Sequence, residues 1–410
     1  MLANHLRPAD HLAAMTLLTT PPLSLYIHLP WCVRKCPYCD FNSYAVRETL
    51  PEAAYVAALE KDLESQAGGV LGRPIVSIFF GGGTPSLFTP DAIGRVLQSA
   101  RKHLTVSADV EVTLEANPGT IERGRFQGYR EAGVNRVSLG AQSFDARQLQ
   151  ALGRIHSPEE TVRAAEELHA AGLTNFNLDL MYALPGQDAA GAARDVDRAL
   201  SLKPTHLSHY QLTLEPGTQF AANPPVLPAD DSATDMLIAC HERLAHAGFE
   251  QYETSAYSLP GKQCRHNLNY WTFGDYLGAG AGAHGKVTDV QSGTIVRTTQ
   301  QREPRRYLAA DPVALSRQTV ASRDLPFEFM MNALRLTGGF DLALFGARTG
   351  LDWNSVAANF DAFGARGLVE IDSRTCKPTP FGVRFVNEML VDLLPEKPLL
   401  NGERMLSMVP

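Results

Sequence analysis

The chain has 410 residues, 44% of them hydrophobic and 20% charged, which is enough apolar material to bury a core and too little charge excess for a disordered chain. Its 37 Lys and Arg against 44 Asp and Glu give a net charge of −7, the wrong sign for a protein whose main partner is a phosphate backbone, so nucleic acid is not expected as a partner. No window offers the roughly 18 uninterrupted apolar residues of a membrane helix, and the tail 1–22 has neither a net basic start nor a small-residue cleavage site, so a cytosolic location with reduced thiols is expected.

In chain order, short apolar runs alternate with amphipathic stretches. Strand Leu23–Leu29 precedes a helix over Pro51–Gln66, and Ile75–Phe80 precedes Pro90–His103. Asp109–Leu114 is followed by Thr120–Glu131, Val134–Leu139 by Pro158–Ala170, Asn175–Leu180 by Ala189–Leu202, and His206–Leu212 by Ala229–Ala247. Thr89-Pro90 and Ser157-Pro158 each set an N-cap before a first-turn proline. Six βα units predict an α/β fold over 23–250, a partial (βα)6 TIM-like barrel with function at the carboxyl ends of its strands.

Beyond residue 250 the alternation stops. A hairpin of Lys286–Val290 and Thr294–Thr298, then an Arg- and Pro-rich linker from Arg302 to Pro312, occupy 251–310. Residues 311–410 are expected to form a small, mostly helical C-terminal domain, winged-helix-like over Asp341–Leu394. That span holds 5 Lys and Arg against 7 Asp and Glu, which argues against a helix that reads a DNA groove.

Three of the six cysteines are isolated (Cys240, Cys264, Cys376), whereas Cys32, Cys36 and Cys39 share one loop just past the first strand. Three thiolates can hold three corners of a [4Fe–4S] cubane and leave one iron open; a structural zinc site wants four ligands and would have to recruit His28. Further polar and glycine groups fall at the ends of later strands. Gly81-Gly82-Gly83-Thr84 follows the second, Glu115 ends the third, Gln142 the fourth and Asp179 the fifth, with Arg154 leading into a helix.

The C-x3-C-x2-C loop, with Tyr38 before its last cysteine, resembles the signature of the radical S-adenosylmethionine (SAM) superfamily. In that superfamily the amine and carboxylate of SAM chelate the open iron, and an electron from the cluster splits the sulfonium. The resemblance implies a [4Fe–4S] cluster on Cys32, Cys36 and Cys39 and a SAM site of Tyr26, Tyr38, Gly82, Gly83, Thr84, Glu115, Gln142, Arg154 and Asp179. Tyr26–Pro30, Gly81–Pro85, Gly140–Phe144 and Asn177–Met181 resemble blocks of the oxygen-independent coproporphyrinogen III dehydrogenase family. Dehydrogenases of that family carry a fourth cysteine two residues past the third, where this chain has Phe41, and a longer N-terminal extension. Both departures point to the sister branch of HemW-type haem chaperones.

His266-Asn267-Leu268-Asn269-Tyr270-Trp271 matches the H-N-x-x-Y-W element of that branch and implies haem binding by His266, Asn267, Tyr270 and Trp271, read here as a loop. Cys264 and His284 are the alternative axial ligands, and Arg265, Arg302, Arg305 and Arg306 are candidates to pair with propionates. The run Gly278–Gly285 resembles a stretch that lines a second SAM pocket in the dehydrogenases, against which stands a close-packed backbone crossing. The implied partners are haem and haem-acceptor proteins, membrane-associated ones among the candidates, together with an electron donor. The rival function is coproporphyrinogen oxidation, or radical chemistry on another substrate.

Overall fold

A computed structural model describes residues 18–119, 124–310 and 315–395. Six strands, β1 (Leu23–Leu29), β2 (Ile75–Gly82), β3 (Val106–Ala116), β4 (Arg136–Gln142), β5 (Phe176–Tyr182) and β6 (His206–Gln211), lie side by side in sequence order, all parallel. Between them run α1 (Glu52–Ala67), α2 (Pro90–His103), α3 (Phe126–Ala132), α4 (Pro158–Ala170) and α5 (Ala189–Ser201), and α6 (Asp230–His246) follows. Leu25, Ile27, Ile78, Phe80, Val112, Leu114, Val137 and Leu178 are fully buried, and they alternate along their strands with buried polar residues such as Ser24, Ser77, Thr113 and Asn177, as side chains on opposite faces of a strand do. The helix starts follow from capping: Thr89 Oγ1 accepts from the Ala92 N–H at 3.2 Å, and Ser157 with Glu160 forms a capping box.

Several boundaries differ from expectation. The start expected for the third helix, 120–123, lies outside the described residues, and the helix itself covers Phe126–Ala132. The sheet does not end near residue 250. Two short strands follow, β7 (Glu250–Glu253) and β8 (Ala256–Ser258): β8 pairs antiparallel with β6, and β7 pairs antiparallel with β8 at the edge. On the other edge β9 (Asp275–Ala279) pairs in parallel with β1, and β10 (His284–Asp289), β11 (Thr294–Thr299) and β12 (Ser316–Thr319) extend it. The expected hairpin is thus β10–β11, built onto the main sheet.

The described part of the expected linker runs to Ala310. It carries a short helix, α8 (Pro304–Ala309), whose buried Tyr307 donates to Asp62 of α1 at 2.8 Å. Fully buried Asp62 further accepts from the Gly280 N–H at 3.0 Å, Gln66 at 2.7 Å and Gln300 at 2.6 Å.

A second core gathers Phe329, Phe345, Phe360, Phe363, Cys376 and Met389 from four described helices and a three-stranded sheet in the order 340–341, 375–378, 369–371. Phe273 and Ile295 belong to this core, so the C-terminal unit sits against the amino-terminal end of the barrel. Among the described residues no helix is long and apolar enough to cross a membrane.

Candidate functional site

At the carboxyl end of β1 the chain turns over Pro30 into the two-residue strand Trp31–Cys32, which pairs with Tyr44–Ala45 and so fixes both ends of the cysteine loop. Within it the Cys39 N–H donates to the Cys36 carbonyl at 3.2 Å, and Lys35 Nζ to the Phe41 carbonyl at 2.9 Å. Cys32, Cys36 and Cys39 are half-buried free thiols. Burial pushes the Cys32 and Cys39 thiols up, and the Arg154 guanidinium lies 3.7 Å from Cys36 Sγ. Three thiols at an open mouth with a cation behind them fit a cluster that leaves one iron free. Zinc with His28 as fourth ligand does not fit: His28 Nδ1 is hydrogen-bonded to Tyr26 Oη at 2.7 Å and Nε2 to the Asn42 carbonyl at 2.9 Å, so both nitrogens are engaged.

The glycine run is shaped by backbone crowding. The Gly83 N–H donates to the Leu29 carbonyl and the Thr84 N–H to the Trp31 carbonyl, and a Cβ on Gly83 would lie 2.5 Å from Trp31 O. Gly82 has φ +115°, and a Cβ there would lie 2.5 Å from the His28 ring. Its N–H donates to Glu115 Oε2 at 3.1 Å. A chain of hydrogen bonds joins the cysteine loop to two strand tips: Arg154 reaches Cys36, the Gly140 carbonyl at 2.9 Å and Asn117, and Asn117 donates to Thr84 Oγ1 at 2.8 Å. Gln142 has a φ of +64°, uncommon for a residue with a side chain, and accepts from Tyr210 Oη at 2.8 Å. Asp179 accepts from Ser138 at 3.0 Å and Asn177 at 2.8 Å.

The two tyrosines of the expected SAM set are placed differently from the strand-tip groups. The Tyr26 hydroxyl is taken by His28, and the Tyr38 ring packs toward Phe220 in a side cluster with Leu152, Met181, Leu184 and Leu212. Asn117 and Tyr210 belong to the network although the sequence reading passed over them; each stands at a strand end, beside a residue that was singled out.

Burial, reinforced by the negative charge of Asp179, pushes Glu115 up to about 8 against an ordinary 4.5, while the Gly82 N–H pulls the other way. A raised carboxyl pKa means the folded state holds a proton that the unfolded state has released. The cofactor-free protein should therefore lose stability as pH rises from about 4.5 through 8. Glu115→Gln removes that burden: urea unfolding should show a gain of about 1 kcal/mol or more at pH 8 and none at pH 4.5. Equal stability of the two proteins at both pH values would mean that Glu115 is not desolvated.

The H-N-x-x-Y-W element is not a loop. It forms helix α7 (Arg265–Trp271), which enters the opposite, amino-terminal mouth of the barrel. Asn269 donates to Ser24, low on β1, at 2.8 Å, and the His266 ring stacks on Phe79 of β2 with centroids 4.1 Å apart. The Arg265 N–H, at the helix start, donates to Glu111 Oε1 at 3.0 Å. His266 is only 5% exposed. Asn267 is half-buried, Tyr270 packs edge-on to Tyr276, and Trp271 lies beneath Arg335 of the C-terminal unit, 4.4 Å from its guanidinium carbon.

Of the alternative ligands, Cys264 is buried beside His266, whereas His284 is exposed on β10, distant from α7 in the sheet order. Arg265 is paired with Asp109 and Arg306 with Glu303, and Arg302 is held through its carbonyl by Asn42. In the glycine-rich stretch a Cβ on Gly278 would overlap the His284 carbonyl and one on Gly282 the Asn42 amide, the geometry of a close-packed backbone crossing.

Residues 26–199 match the radical SAM superfamily and residues 320–385 the HemN C-terminal domain. The chain is 48% identical over 376 residues to the heme chaperone HemW of Escherichia coli (strain K12), covering 92% of this chain and 99% of that protein. Against the heme chaperone HemW of Haemophilus influenzae it is 45% identical over 381 residues, again 92% of this chain and 99% of that protein. Among solved structures, coproporphyrinogen III oxidase (HemN) from Escherichia coli superposes with a TM-score of 0.77 at 23% identity, over 93% of this chain and 92% of that one, a likeness of fold. Identity near one half along almost the whole length of both HemW proteins goes well beyond a shared barrel, and the chain belongs to the HemW family of the radical SAM superfamily.

Proposed function

We propose that this cytosolic protein binds haem and passes it to acceptor proteins, membrane-associated ones among them. In this reading Cys32, Cys36 and Cys39 hold a [4Fe–4S] cluster, and SAM lies along the strand tips. The observation that carries the reading is the 48% identity to a heme chaperone over 92% of this chain. When bound, the cluster supplies an electron able to split the SAM sulfonium. Gly82, Gly83 and Thr84 bring backbone groups to the methionine end, Glu115 and Asp179 offer carboxyl groups, Gln142 an amide, and Arg154 holds Cys36. Tyr26 and Tyr38 support the floor and the loop.

Phe41, half-exposed at the rim of the loop, can neither ligate iron nor move a proton. Reduced protein with SAM should therefore leave coproporphyrinogen III unconverted. Product beyond trace turnover would restore the dehydrogenase reading.

Haem is assigned to the α7 face of His266, Asn267, Tyr270 and Trp271. Because His266 is buried, with its ring stacked on Phe79 of β2, ligation through it requires α7 to turn outward. Haem should bind at about one per chain, and His266→Ala should weaken binding or shift the Soret band, with smaller losses from Tyr270→Ala and Trp271→Ala. Cys264→Ala and His284→Ala separate the alternative ligands. Unaltered binding in His266→Ala and Cys264→Ala alike would remove the helix from the haem site.

A further inference from the structure

Three ligand-type side chains converge inside the amino-terminal mouth of the barrel: Glu111 from β3, with Cys264 and His266 from the start of α7. All three are buried. Cys264 Sγ lies 3.0 Å from His266 Nδ1, Nδ1 lies 3.5 Å from Glu111 Oε1, and Sγ lies 3.7 Å from Oε1. Bond lengths of about 2.3 Å to sulfur, 2.05 Å to nitrogen and 2.1 Å to oxygen give tetrahedral zinc ligand–ligand edges of about 3.4–3.6 Å. The two edges to Glu111, 3.5 and 3.7 Å, are close to those of that tetrahedron, and the sulfur–nitrogen edge, 3.0 Å, is about 0.5 Å shorter.

Hydrogen bonding explains the cluster less well. Sγ is nearly equidistant from the two ring nitrogens, at 3.0 and 3.3 Å, so it lies off the in-plane lone-pair direction of either, and coordination through Nδ1 needs the ring to turn about its Cβ–Cγ bond. Glu111 Oε1 already accepts from the Arg265 N–H at 3.0 Å and the His266 N–H at 3.4 Å.

We propose that Glu111, Cys264 and His266 form a mononuclear divalent-metal site, with zinc the best match to one sulfur, one nitrogen and one oxygen donor. The fourth position would be left to water or an incoming ligand. The charges balance: a thiolate and a carboxylate offset the ion, and buried Arg136, which acts on both Cys264 and Glu111, is offset by Asp179. The site lies at the other end of the barrel from the cysteine loop. Its inference goes beyond the haem reading, although metal and haem iron would compete for the one imidazole of His266.

The test is a Co²⁺ titration of the full-length protein carrying Cys32→Ser, Cys36→Ser and Cys39→Ser, without haem and without oxygen. About one Co²⁺ per chain should give the visible d–d bands of a tetrahedral ion and a thiolate-to-cobalt charge-transfer band, both erased by Zn²⁺. Adding Cys264→Ser should remove the charge-transfer band, and Glu111→Gln should weaken binding at least about 10-fold. Circular dichroism shows that each variant is folded, and near-isosteric Glu111→Gln carries the test if Cys264→Ser does not fold. A folded triple-serine protein with no tetrahedral spectrum, or a spectrum indifferent to Cys264→Ser and Glu111→Gln, overturns the site. A separate haem titration of the same proteins reports on the haem reading, so the failure of one is distinguishable from the failure of the other.

Discussion

Serine in place of Cys32, Cys36 or Cys39 is expected to abolish the thiolate-to-iron absorption of anaerobically purified protein, which should otherwise carry about four irons per chain. Each thiol is irreplaceable because both ends of the loop are pinned by the Trp31–Cys32 and Tyr44–Ala45 pair, leaving no slack to bring another group to a vacated iron. His28, the nearest alternative, is held by Tyr26 and Asn42. SAM added to the intact cluster should perturb its electronic spectrum, and Gly82→Val should blunt that response, since a side chain there meets the His28 ring. Stoichiometric zinc with no iron in the purified protein would overturn the cluster assignment.

The largest stability loss is expected from Lys286→Met. Lys286 Nζ lies 2.9 Å from Asp275 Oδ1, and both groups are almost wholly buried. Asp275 also accepts from Arg73 at 2.8 Å and from the Thr288 N–H and hydroxyl, each at 2.8 Å. Removing the lysine leaves Arg73 as the one remaining cation paired with Asp275 among the described residues, and breaking a buried pair in this way costs about 3–5 kcal/mol in urea unfolding. Arg366→Ala, at an ion pair with Asp392 in which both side chains are about half exposed, should cost only about 0–1 kcal/mol. Burial opposes the charge on Asp275, yet Lys286 and the donors around it hold the carboxyl below its ordinary 3.8. Its contribution is thus present above pH 3.8 and lost as pH falls through the lower folded value. Equal losses in the two variants would mean that the buried pair is solvated.

The βα series was legible because most of the parallel strands carry apolar residues at alternate positions and two of the helices begin with an N-cap followed by proline. The opposite edge of the sheet was not. Strand β9 is Asp-Tyr-Leu-Gly-Ala, whose glycine serves a backbone contact with His284 rather than any local pattern, and its partner β1 lies about 250 residues away. Helix α7 was read as a loop because seven residues with one His and two Asn show no period, and its start is held by Glu111, which only the tertiary fold brings near. Glu111 did leave a trace: a carboxylate between Val110 and Val112 in a buried run asks for a partner. The cysteine loop needed no such context to be noticed, since three cysteines within eight residues stand out in the sequence by themselves.

Asp62 sets how the molecule comes apart. It ties α1, early in the barrel, to Gly280, Gln300 and Tyr307, all beyond the last classical βα unit. Peeling the later segment away would strand a carboxylate in an apolar setting and expose the faces of Tyr55 and Tyr307 that pack on each other. Barrel and trailing strands should therefore melt as one cooperative unit, and a truncation just after residue 258 should yield an aggregating fragment in place of a smaller folded barrel.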